Sequence, residues 1–488
     1  MKVYLSTLGC KLNESELEAW TRKFADDGYE IVNDPTDADI CVLNTCTVTH
    51  VAARKSRQMT RQLARANPQA QIVLTGCFVD ISPDEARKLP NVSLVVPNAD
   101  KDQLVTLAGN LLNDTRFQTT ETGCRMPEAT SGTLGSSTWL DADVETQAAG
   151  NAPISNLQSP ISTLRTRAFV KIQDGCNMSC TYCIIPFARG KEHARSPQDV
   201  VAEVKSLVDV GNKEIILTGV QISAYRGHVI ARNGVTKQSS KTDLEIASSQ
   251  NRLLAMTSLH DLVAAILSET SVPRLRLTSI APWDLDEALL ELWSDPRLCR
   301  HLHLSLQSGS DTVLKRMRRP YTTAQFARAV EMARNKIPDL GITTDVIVGF
   351  PGESDAEFEQ SMEFVRAMQF SRVHVFPYSK RDGTIAANLP LQVADSIKES
   401  RAKKMQAVAD ASQKQFAMQA IGKTRQVLWE SSVNSGQWSV NGKHPVTWFG
   451  YTDNYIRVVA DSDMNLHNRF TDTRLVAIDD DGMRGELL

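Results

Sequence analysis

The sequence has no long apolar run, no signal-peptide layout and almost no net charge. It contains no stretch of 18 or more apolar residues, the length that a membrane-spanning helix needs. Met1–Ser6 has the pattern of a strand rather than the charged and then apolar layout of a leader, so we expect a cytoplasmic protein with no membrane segment. Since 54 Lys and Arg face 57 Asp and Glu, a nucleic-acid partner would have to be met by local basic patches.

Cysteine is scarce, but its use is informative. Nine cysteines in 488 residues, in the expected compartment, favour metal or redox chemistry over a disulfide framework. The length predicts roughly two to four domains, and a hydrophobic content of 42% is sufficient for real cores.

Three of the cysteines are close together in the segment Cys176–Cys183, with the spacing C-x3-C-x2-C. Three thiolates on one short loop can hold three irons of a cubic [4Fe–4S] cluster and leave the fourth iron open. An open iron can chelate a small molecule, and S-adenosylmethionine is the obvious candidate. The alternative is a zinc loop, but zinc sites usually take four ligands in paired spacings. No second pair of Cys or His follows Cys183 at the distance typical of zinc fingers, so the pattern favours the iron–sulfur cluster.

The first part of the chain alternates strand and helix patterns. This rhythm over residues 1–113 predicts a compact α/β domain with a parallel sheet. Its predicted strands are Val3–Thr7, Asp39–Leu43, Gln71–Thr75 and Val92–Val96. The polar run 114–164 has no periodicity, and we interpret it as a linker or disordered insert.

The alternation resumes over residues 165–395, with a polar insert at about 226–251. Six strands are predicted there: Ala168–Ile172, Glu214–Thr218, Arg274–Leu277, His301–Leu306, Thr343–Val348 and Arg372–Val375. Six strands with intervening helices predict a partial (β/α)6 barrel. Residues 396–421 are predicted to form a connecting helix, and the short alternating segments of 422–488 predict a small β-barrel.

A second set of three cysteines lies in the α/β region. Cys10, Cys46 and Cys77 each follow a predicted strand. Residues just past the carboxyl ends of parallel strands meet at one edge of the sheet, where such folds place their ligands. The alternative is three unrelated buried thiols, which fits Cys41 inside its strand. For the other three, the shared position favours a second cluster with three protein ligands.

Two three-cysteine sets, one on an α/β domain and one on a barrel, resemble the radical S-adenosylmethionine methylthiotransferase family. The resemblance covers most of the chain outside the two polar inserts. Leu8–Asn13 and Asn44–Thr49 are similar to the branch that acts on N6-threonylcarbamoyladenosine in tRNA, whereas the isopentenyladenosine branch more typically has Gly-Cys-Gln-Met-Asn at the first cysteine. His303–Ser310 is similar to the family's barrel motif, with Ser305 where proline is usual.

The resemblance implies an enzyme with two [4Fe–4S] clusters and S-adenosylmethionine. The auxiliary cluster, on Cys10, Cys46 and Cys77, would present sulfur, which one S-adenosylmethionine methylates. A second S-adenosylmethionine, reduced at the cluster on the other three cysteines, would yield a 5′-deoxyadenosyl radical that removes the C2 hydrogen of the adenine. An external donor of flavodoxin or ferredoxin type would supply the electron.

The resemblance also implies cofactor-binding residues at the ends of barrel strands. Thr218 and Gly219 follow the second strand and resemble the segment that meets the methionine amino group. Ser279 follows the third strand and is expected near the ribose, and Gly349 and Pro351 follow the fifth, beside the adenine. Ordinary turn chemistry is the alternative explanation for each.

The expected partner is tRNA, which basic surfaces would contact. Arg54, Lys55 and Arg57 lie on the helix directly after Cys46, and further basic clusters occur at Lys315–Arg319 and Lys398–Lys414. Three clusters near two predicted cofactor sites favour phosphate contacts over solvated faces.

Two residues beside the first cysteine are candidates for the modified base. Lys11 and Asn13 directly follow Cys10, so they are expected to line the place where the base meets the sulfur. A cationic Lys11 could pair with the threonyl carboxylate, which an isopentenyl chain lacks. An ordinary exposed loop residue is the alternative.

The tail resembles a TRAM domain, a small RNA-binding barrel. Residues 422–488 hold seven Lys or Arg against nine Asp or Glu, and this net negative charge does not favour binding of RNA phosphates by charge alone. Trp448, Tyr451 and Tyr455 could instead stack on bases or belong to the barrel core.

Three other functions compete with this interpretation. A sister enzyme would act on isopentenyladenosine in tRNA, and another on an aspartate of a ribosomal protein. A non-catalytic iron–sulfur protein that binds RNA or senses redox state is the third. The motifs predicted to bind S-adenosylmethionine count against a mere sensor.

Overall fold

The computed structural model describes residues 1–113, 166–227, 258–434, 446–479 and 482–488. The predicted linker 114–164 and nearly all of the predicted polar insert 226–251 lie outside the described residues. Within the described residues, no helix is long and apolar enough to cross a membrane. All eight cysteines of these residues are free thiols.

The amino-terminal domain is a five-stranded parallel sheet in the order β2-β1-β3-β4-β5. Its strands are β1 (Lys2–Thr7), β2 (Glu30–Ile31), β3 (Ile40–Thr45), β4 (Gln71–Gly76) and β5 (Val92–Val96). The helices are α1 (Lys11–Asp26), α2 (His50–Ala66), α3 (Cys77–Ile81), α4 (Pro83–Arg87) and α5 (Leu104–Asn113). Every residue of β3 is buried, because helices cover both faces of a parallel sheet. The predicted parallel-sheet domain is confirmed. Strand β2 is absent from the predicted strands because two residues are too few to show the alternating pattern of a strand.

The middle region is the predicted partial barrel. Its six parallel strands are β6 (Arg167–Lys171), β9 (Glu214–Thr218), β10 (Arg274–Leu277), β11 (His301–His303), β12 (Gly341–Val348) and β13 (Arg372–Pro377). They form two three-stranded sheets, β6-β9-β10 and β11-β12-β13, which a parallel bridge between Ile280 and Leu304 joins. A short antiparallel pair, β7 (Gln173–Asp174) and β8 (His193–Ala194), flanks the cysteine-rich loop.

Helices cover the outside of this barrel. They are α7 (Pro197–Asp209), α8 (Leu259–Glu269), α9 (Glu287–Glu291), α10 (Asp311–Arg316), α11 (Thr323–Lys336), α12 (Asp355–Met368) and α13 (Asp395–Met418). The short helix α6 (Ile185–Arg189) instead packs against α3 of the amino-terminal domain. Helix α13 shares the barrel's core through Met405, Val408 and Ala409, so it is part of the barrel wall as well as the connection to the tail.

The tail is a closed barrel of five strands in the order β14-β15-β16-β18-β17. They are β14 (Thr424–Asn434), β15 (Val446–Thr452), β16 (Arg457–Ser462), β17 (Phe470–Asp479) and β18 (Gly482–Leu487). This barrel packs against the amino ends of the middle strands: Arg300 pairs with Asp453, and Arg276 donates to the carbonyl of Asp453 at 3.1 Å. The predicted small β-barrel is therefore confirmed.

Candidate active site

The loop that carries Cys176, Cys180 and Cys183 leaves β7 through a glycine that no other residue could replace. Gly175 has φ +69°, and a Cβ there would collide with the carbonyl oxygen of Lys191. The Cys176 N–H donates to the carbonyl of Gly190 at 3.1 Å. These contacts hold the start of the loop against the chain that follows α6.

The far half of the loop is anchored on the barrel. Thr181 donates its N–H to the carbonyl of Met317 at 3.1 Å and its hydroxyl to that of Arg316 at 3.0 Å. Tyr182 packs edge-on against Phe350, with 6.5 Å between ring centroids. Phe350 lies between Gly349 and Pro351, the residues predicted to bind the adenine. The contact between Tyr182 and Phe350 therefore fixes the cysteine loop against the predicted adenine-binding segment.

One buried side chain that the sequence did not single out connects the loop to the next predicted cofactor segment. Gln173 is 1% exposed, and its amide donates to the carbonyl of Gly175 at 2.8 Å. Its Oε1 accepts the N–H groups of Val220 and Gln221, both at 3.0 Å. A Cβ on Gly219 would lie 2.8 Å from the Gln173 carbonyl oxygen, so glycine is needed for this approach.

The other residues predicted to bind S-adenosylmethionine also lie at the carboxyl ends of barrel strands. Thr218 ends β9 and is buried. Ser279 follows β10 with φ +53°, a strained conformation for a residue with a side chain, of the kind that often occurs at functional sites. Gly349 follows β12 with φ +71°, and Pro351 is buried two residues later.

Helix α13 holds the Gly349–Glu353 turn. The Gly349 N–H donates to Oε2 of Glu353 at 2.6 Å, and the same oxygen accepts a bond of 2.8 Å from Arg401. A Cβ on Gly349 would lie 2.5 Å from Cγ of Lys398, so this glycine also allows a close approach. Lys398 and Arg401 are buried, and the prediction that they contribute to a basic surface is wrong.

A cation lies beside the cysteine loop. Nη1 of Arg319 is 3.2 Å from Sγ of Cys180, and its guanidinium stacks 5.0 Å from Trp283 and 5.3 Å from Tyr321. Burial, together with the neighbouring cysteines, raises the pKa of Cys183 to about 12, and Arg319 opposes this shift. Cluster binding needs thiolates, so a fixed positive charge here favours it.

The three amino-terminal cysteines meet at one edge of their sheet. Cys10 is the residue before α1 and is exposed, Cys46 follows β3, and Cys77 begins α3; the last two are buried. A Cβ on Gly9 would lie 2.7 Å from Sγ of Cys46, so the turn before Cys10 rests on that thiol. Burial raises the pKa of Cys46 to about 12, and the charges of Cys77 and Cys10 add to the shift, so the thiols are close neighbours.

Asn13 holds two of the cysteine segments together. It is 1% exposed, and its Nδ2 donates to the carbonyls of Leu8 at 2.7 Å and Thr45 at 3.1 Å. Its Oδ1 is 3.8 Å from Sγ of Cys10. Both amide protons are therefore used within the domain, and the predicted role of Asn13 in substrate binding stays a prediction.

A buried ionic group joins the two cysteine regions across the domain interface. Arg189 of the barrel, with a side chain 1% exposed, donates to both oxygens of Asp174 at 3.0 Å and to Glu16 at 3.2 Å. Its Nη2 donates to Oδ1 of Asn13 at 2.5 Å, and Asp174 accepts the N–H of Gly175 at 2.8 Å. The guanidinium of Arg189 thus connects Asn13, three residues after Cys10, with Asp174, two residues before Cys176.

Glu16 has further partners in the same group. Lys101 lies 2.6 Å from its Oε2 and Lys171 lies 3.3 Å from its Oε1. Although burial opposes the shift, these cations and Arg189 hold the pKa of Glu16 well below its ordinary value. The carboxylate is therefore ionised, and the interface is built from paired charges.

A second contact between the domains lies at Cys46. Arg381, buried after β13, donates to the hydroxyl of Thr47 at 2.5 Å. The His50 N–H donates to Oγ of Ser379 at 3.1 Å. No sequence pattern singled out Gln173, Arg189 or Arg381, because an isolated polar residue carries no periodicity or spacing.

The donor sets suit iron–sulfur cubes. Among the described residues, no three His, Cys, Asp or Glu side chains converge tightly enough to share one metal ion. A cube does not need this convergence, because each thiolate ligates an iron at a different corner. Each set offers three thiols with an arginine nearby, Arg319 for the barrel loop and Arg189 for the amino-terminal set.

The residues predicted to contact tRNA have different surroundings. Arg54 and Lys55 are exposed on α2, whereas Arg57 is half-buried and lies 3.3 Å from Glu85. Lys11, the first residue of α1, places its ammonium 5.6 Å from the ring centre of Tyr455 in the tail barrel. The three domains therefore meet beside Cys10.

Two family models match the chain. Residues 170–365 match the Radical SAM superfamily, and residues 2–97 match Uncharacterized protein family UPF0004. Each model contains one of the three-cysteine sets.

Curated relatives match almost the whole chain. Threonylcarbamoyladenosine tRNA methylthiotransferase MtaB of Bacillus subtilis (strain 168) is 35% identical over 94% of this chain and 90% of its own. The protein of the same name from Thermotoga maritima is 33% identical over 93% and 90%. The tRNA-2-methylthio-N(6)-dimethylallyladenosine synthase of Syntrophus aciditrophicus (strain SB) is 31% identical over 88% and 83%.

Among solved structures, the radical S-adenosylmethionine methyltransferase TsrM from Kitasatospora setae covers 77% of this chain and 72% of its own, with a TM-score of 0.49 and 16% identity. The family assignment rests instead on the curated relatives. Because they exceed 30% identity over most of both chains, and because all six cysteines stand in the two places described above, the chain belongs to the radical S-adenosylmethionine tRNA methylthiotransferases.

Proposed function

We propose that this enzyme replaces the C2 hydrogen of N6-threonylcarbamoyladenosine, beside the anticodon of tRNA, with a methylthio group. The observation that carries the proposal is the pair of contacts that Arg189 makes between the domains. Its guanidinium bonds Asn13, near Cys10, and Asp174, near Cys176, and so connects the two three-cysteine sets. A sulfur transfer that needs both sets requires them at a fixed separation.

The proposal assigns the cluster ligands to the two sets. Cys176, Cys180 and Cys183 hold the cluster that binds S-adenosylmethionine, and Cys10, Cys46 and Cys77 hold the auxiliary cluster. When bound, the clusters and S-adenosylmethionine supply the electron transfer, the radical and the methylated sulfur.

The chain's own residues orient the cofactor. The backbone of Gly219, which packs against Gln173, is proposed to meet the methionine end, and Thr218 is proposed to line this place. Ser279 is proposed to meet the ribose, and Gly349 and Pro351 the adenine. Because Gln173 also bonds Gly175, the cysteine loop and the methionine segment keep one geometry.

The substrate assignment is supported by the relatives and by Lys11. Two relatives that match more than nine-tenths of the chain carry threonylcarbamoyladenosine in their names. Lys11 directs a cation toward the space beside Cys10, and among the described residues no carboxylate lies within ion-pair distance of it. A threonyl carboxylate would supply the missing partner.

The proposed tRNA surface begins at α2. Arg54 and Lys55 are exposed next to the Cys46 segment, where phosphates near the modified base would pass. Arg57 is proposed to contribute less, because Glu85 already neutralises its charge. The tail barrel adds a second contact with RNA.

The proposed electron source is an external protein of flavodoxin or ferredoxin type. Beyond the six ligand cysteines, the described residues contain Cys41 and Cys299, which are both buried and far apart in sequence. They offer no internal relay for an electron.

The test compares three tRNAs with one reconstituted preparation. They carry threonylcarbamoyladenosine, isopentenyladenosine or unmodified adenosine, and mass spectrometry of the nucleosides measures the methylthio product. We expect turnover on the first and little on the others. Equal or faster turnover on isopentenyladenosine would overturn the substrate assignment and favour the activity named for the Syntrophus aciditrophicus relative.

A further inference from the structure

The lumen of the middle barrel is lined with polar side chains on one side. In β12, Ile342 and Val346 belong to the hydrophobic core outside the barrel, so the alternate residues Thr343 and Asp345 face the lumen. In barrels of this general kind, bulky branched side chains usually fill the interior. A polar lumen surface indicates a polar ligand.

Three lumen-facing residues from adjacent strands touch one another. Nε2 of His303 lies 3.2 Å from Oδ2 of Asp345, and the rings of His303 and His374 are 6.3 Å apart. Asp345 and His374 are direct partners in the register of β12 and β13. We call these three residues the lumen wall.

The floor beneath this wall comes from the tail barrel. The ring of Tyr455 lies 4.7 Å from that of His301 and 4.8 Å from the guanidinium of Arg276. His301 is 1% exposed, and its Nδ1 has no hydrogen-bond partner among the described residues. A buried nitrogen without a partner is costly unless a ligand or water satisfies it.

Lys11 reaches the same space from the amino-terminal domain. Its ammonium lies above Tyr455. The pKa of Asp345 is below its ordinary value although burial opposes this, because His303 donates to it and His303, His374 and Lys11 add positive charge. Tyr455, over which Lys11 lies, packs on His301, and both His301 and His303 bond the hydroxyl of Thr343. Lys11, the residue directly after Cys10, therefore lies at the end of the lumen wall.

We propose that Lys11 and the lumen wall of His303, Asp345 and His374 form the subsite for the amino-acid tail of the modified adenosine. Lys11 and His374 bind the carboxylate, and Asp345 accepts the threonyl hydroxyl. This inference rests on the proposed function and extends it to the residues that select the substrate. An isopentenyl tail would offer Lys11 and His374 no carboxylate, and a site built to bind a polar group strongly rejects an analogue that lacks it.

The first test replaces His374 with Ala and uses the exposed His260→Ala on α8 as the matched control. On tRNA with threonylcarbamoyladenosine, His374→Ala should lower kcat/KM roughly ten- to a hundredfold, the effect of losing a hydrogen bond to a charged group. Iron content should match the wild type, because His374 is not a predicted ligand of either cluster. His260→Ala should change neither of these.

The second test changes the substrate instead of the wall. A tRNA whose threonyl carboxylate is converted to the methyl ester should be a poor substrate for the wild type. Lys11→Ala should turn over the acid and the ester almost equally, because the variant lacks the ammonium that distinguishes the charged carboxylate from the neutral ester. Iron content of the variant controls for damage to the neighbouring Cys10 ligand.

Two results would overturn the subsite. One is that His374→Ala and Lys11→Ala leave kcat/KM on threonylcarbamoyladenosine unchanged. The other is that the wild type accepts acid and ester equally. Failure of the proposed function is a separate result, since wild-type enzyme would then give no methylthio product on threonylcarbamoyladenosine at all.

Discussion

The two three-cysteine sets are assembled in opposite ways. Cys176, Cys180 and Cys183 lie within eight residues on one loop, whose shape depends on Gly175 and on backbone hydrogen bonds to the chain around it. Cys10, Cys46 and Cys77 are brought together because β1, β3 and β4 are parallel and end at one sheet edge. The first set can be recognised from spacing; the second can be recognised only if the topology is predicted as well.

The supports of the two sets differ too. Backbone groups and Gln173 fix the barrel loop locally, whereas paired charges across the domain interface, centred on Arg189, fix the distance between the sets. The following experiments separate these supports.

The largest effect is expected from replacing all three barrel-loop cysteines with Ala. About half of the iron should be lost, and both cleavage of S-adenosylmethionine and methylthio transfer should stop, because the open iron that chelates the cofactor is gone. Iron analysis and assays of 5′-deoxyadenosine measure this. Iron that stays near the wild-type level would contradict the ligand assignment.

Replacing Cys10, Cys46 and Cys77 with Ala should also remove about half of the iron. Methylthio transfer should be lost, but reductive cleavage of S-adenosylmethionine should persist, since that step needs only the barrel cluster. Chromatography of both products from one reaction is the measurement. A triple variant that still makes the methylthio nucleoside would refute the role of the amino-terminal set.

Arg189→Ala should destabilise the fold by up to about 3–5 kcal/mol, because Asp174 and Glu16 lose the buried cation that they share. Lys171 and Lys101 remain and compensate these carboxylates only in part. It should also reduce methylthio transfer more than cleavage of S-adenosylmethionine, since the separation of the two sets is no longer held. The two activities and the Tm are measured together.

The matched control for Arg189 is Arg22→Ala, which breaks another ion pair between the same domains. Arg22 lies 2.6 Å from Glu203 with a side chain 39% exposed, so its loss should cost at most about 1 kcal/mol. If both variants reduced the two activities in equal proportion, Arg189 would have only a general role in stability.

The smallest effect is expected from Gln173→Ala. Four backbone groups lose their hydrogen bonds, but neither cluster loses a predicted ligand, so iron content should not change. The KM for S-adenosylmethionine should rise roughly tenfold, as for the loss of about 1–2 kcal/mol of binding. The exposed Gln406→Ala on α13 is the control. An unchanged KM would remove Gln173 from the cofactor site.

Runs of basic residues show how far sequence patterns can be misleading. Lys315–Arg319 and Lys398–Lys414 resemble surface charge, yet Arg319 stacks beside Cys180 and Arg401 holds Glu353 inside the protein. Composition cannot separate these cases, because the burial of a cation depends on which carboxylate or aromatic ring the fold brings to it. Arg54 and Lys55 remain on the surface as expected.

The sequence by itself determined the strand and helix order, the three-domain arrangement of the fold class and the identity of both cysteine sets. Those features depend on local periodicity and on residue spacing, which neighbouring residues in the chain control. Only the tertiary structure decided that Gln173 ties the cysteine loop to the segment after β9. The same holds for the links that Arg189 and Arg381 make between the domains, and for the position of Lys11 over Tyr455. These contacts unite residues tens to hundreds of positions apart, and their energy depends on burial and pairing, which no local pattern records.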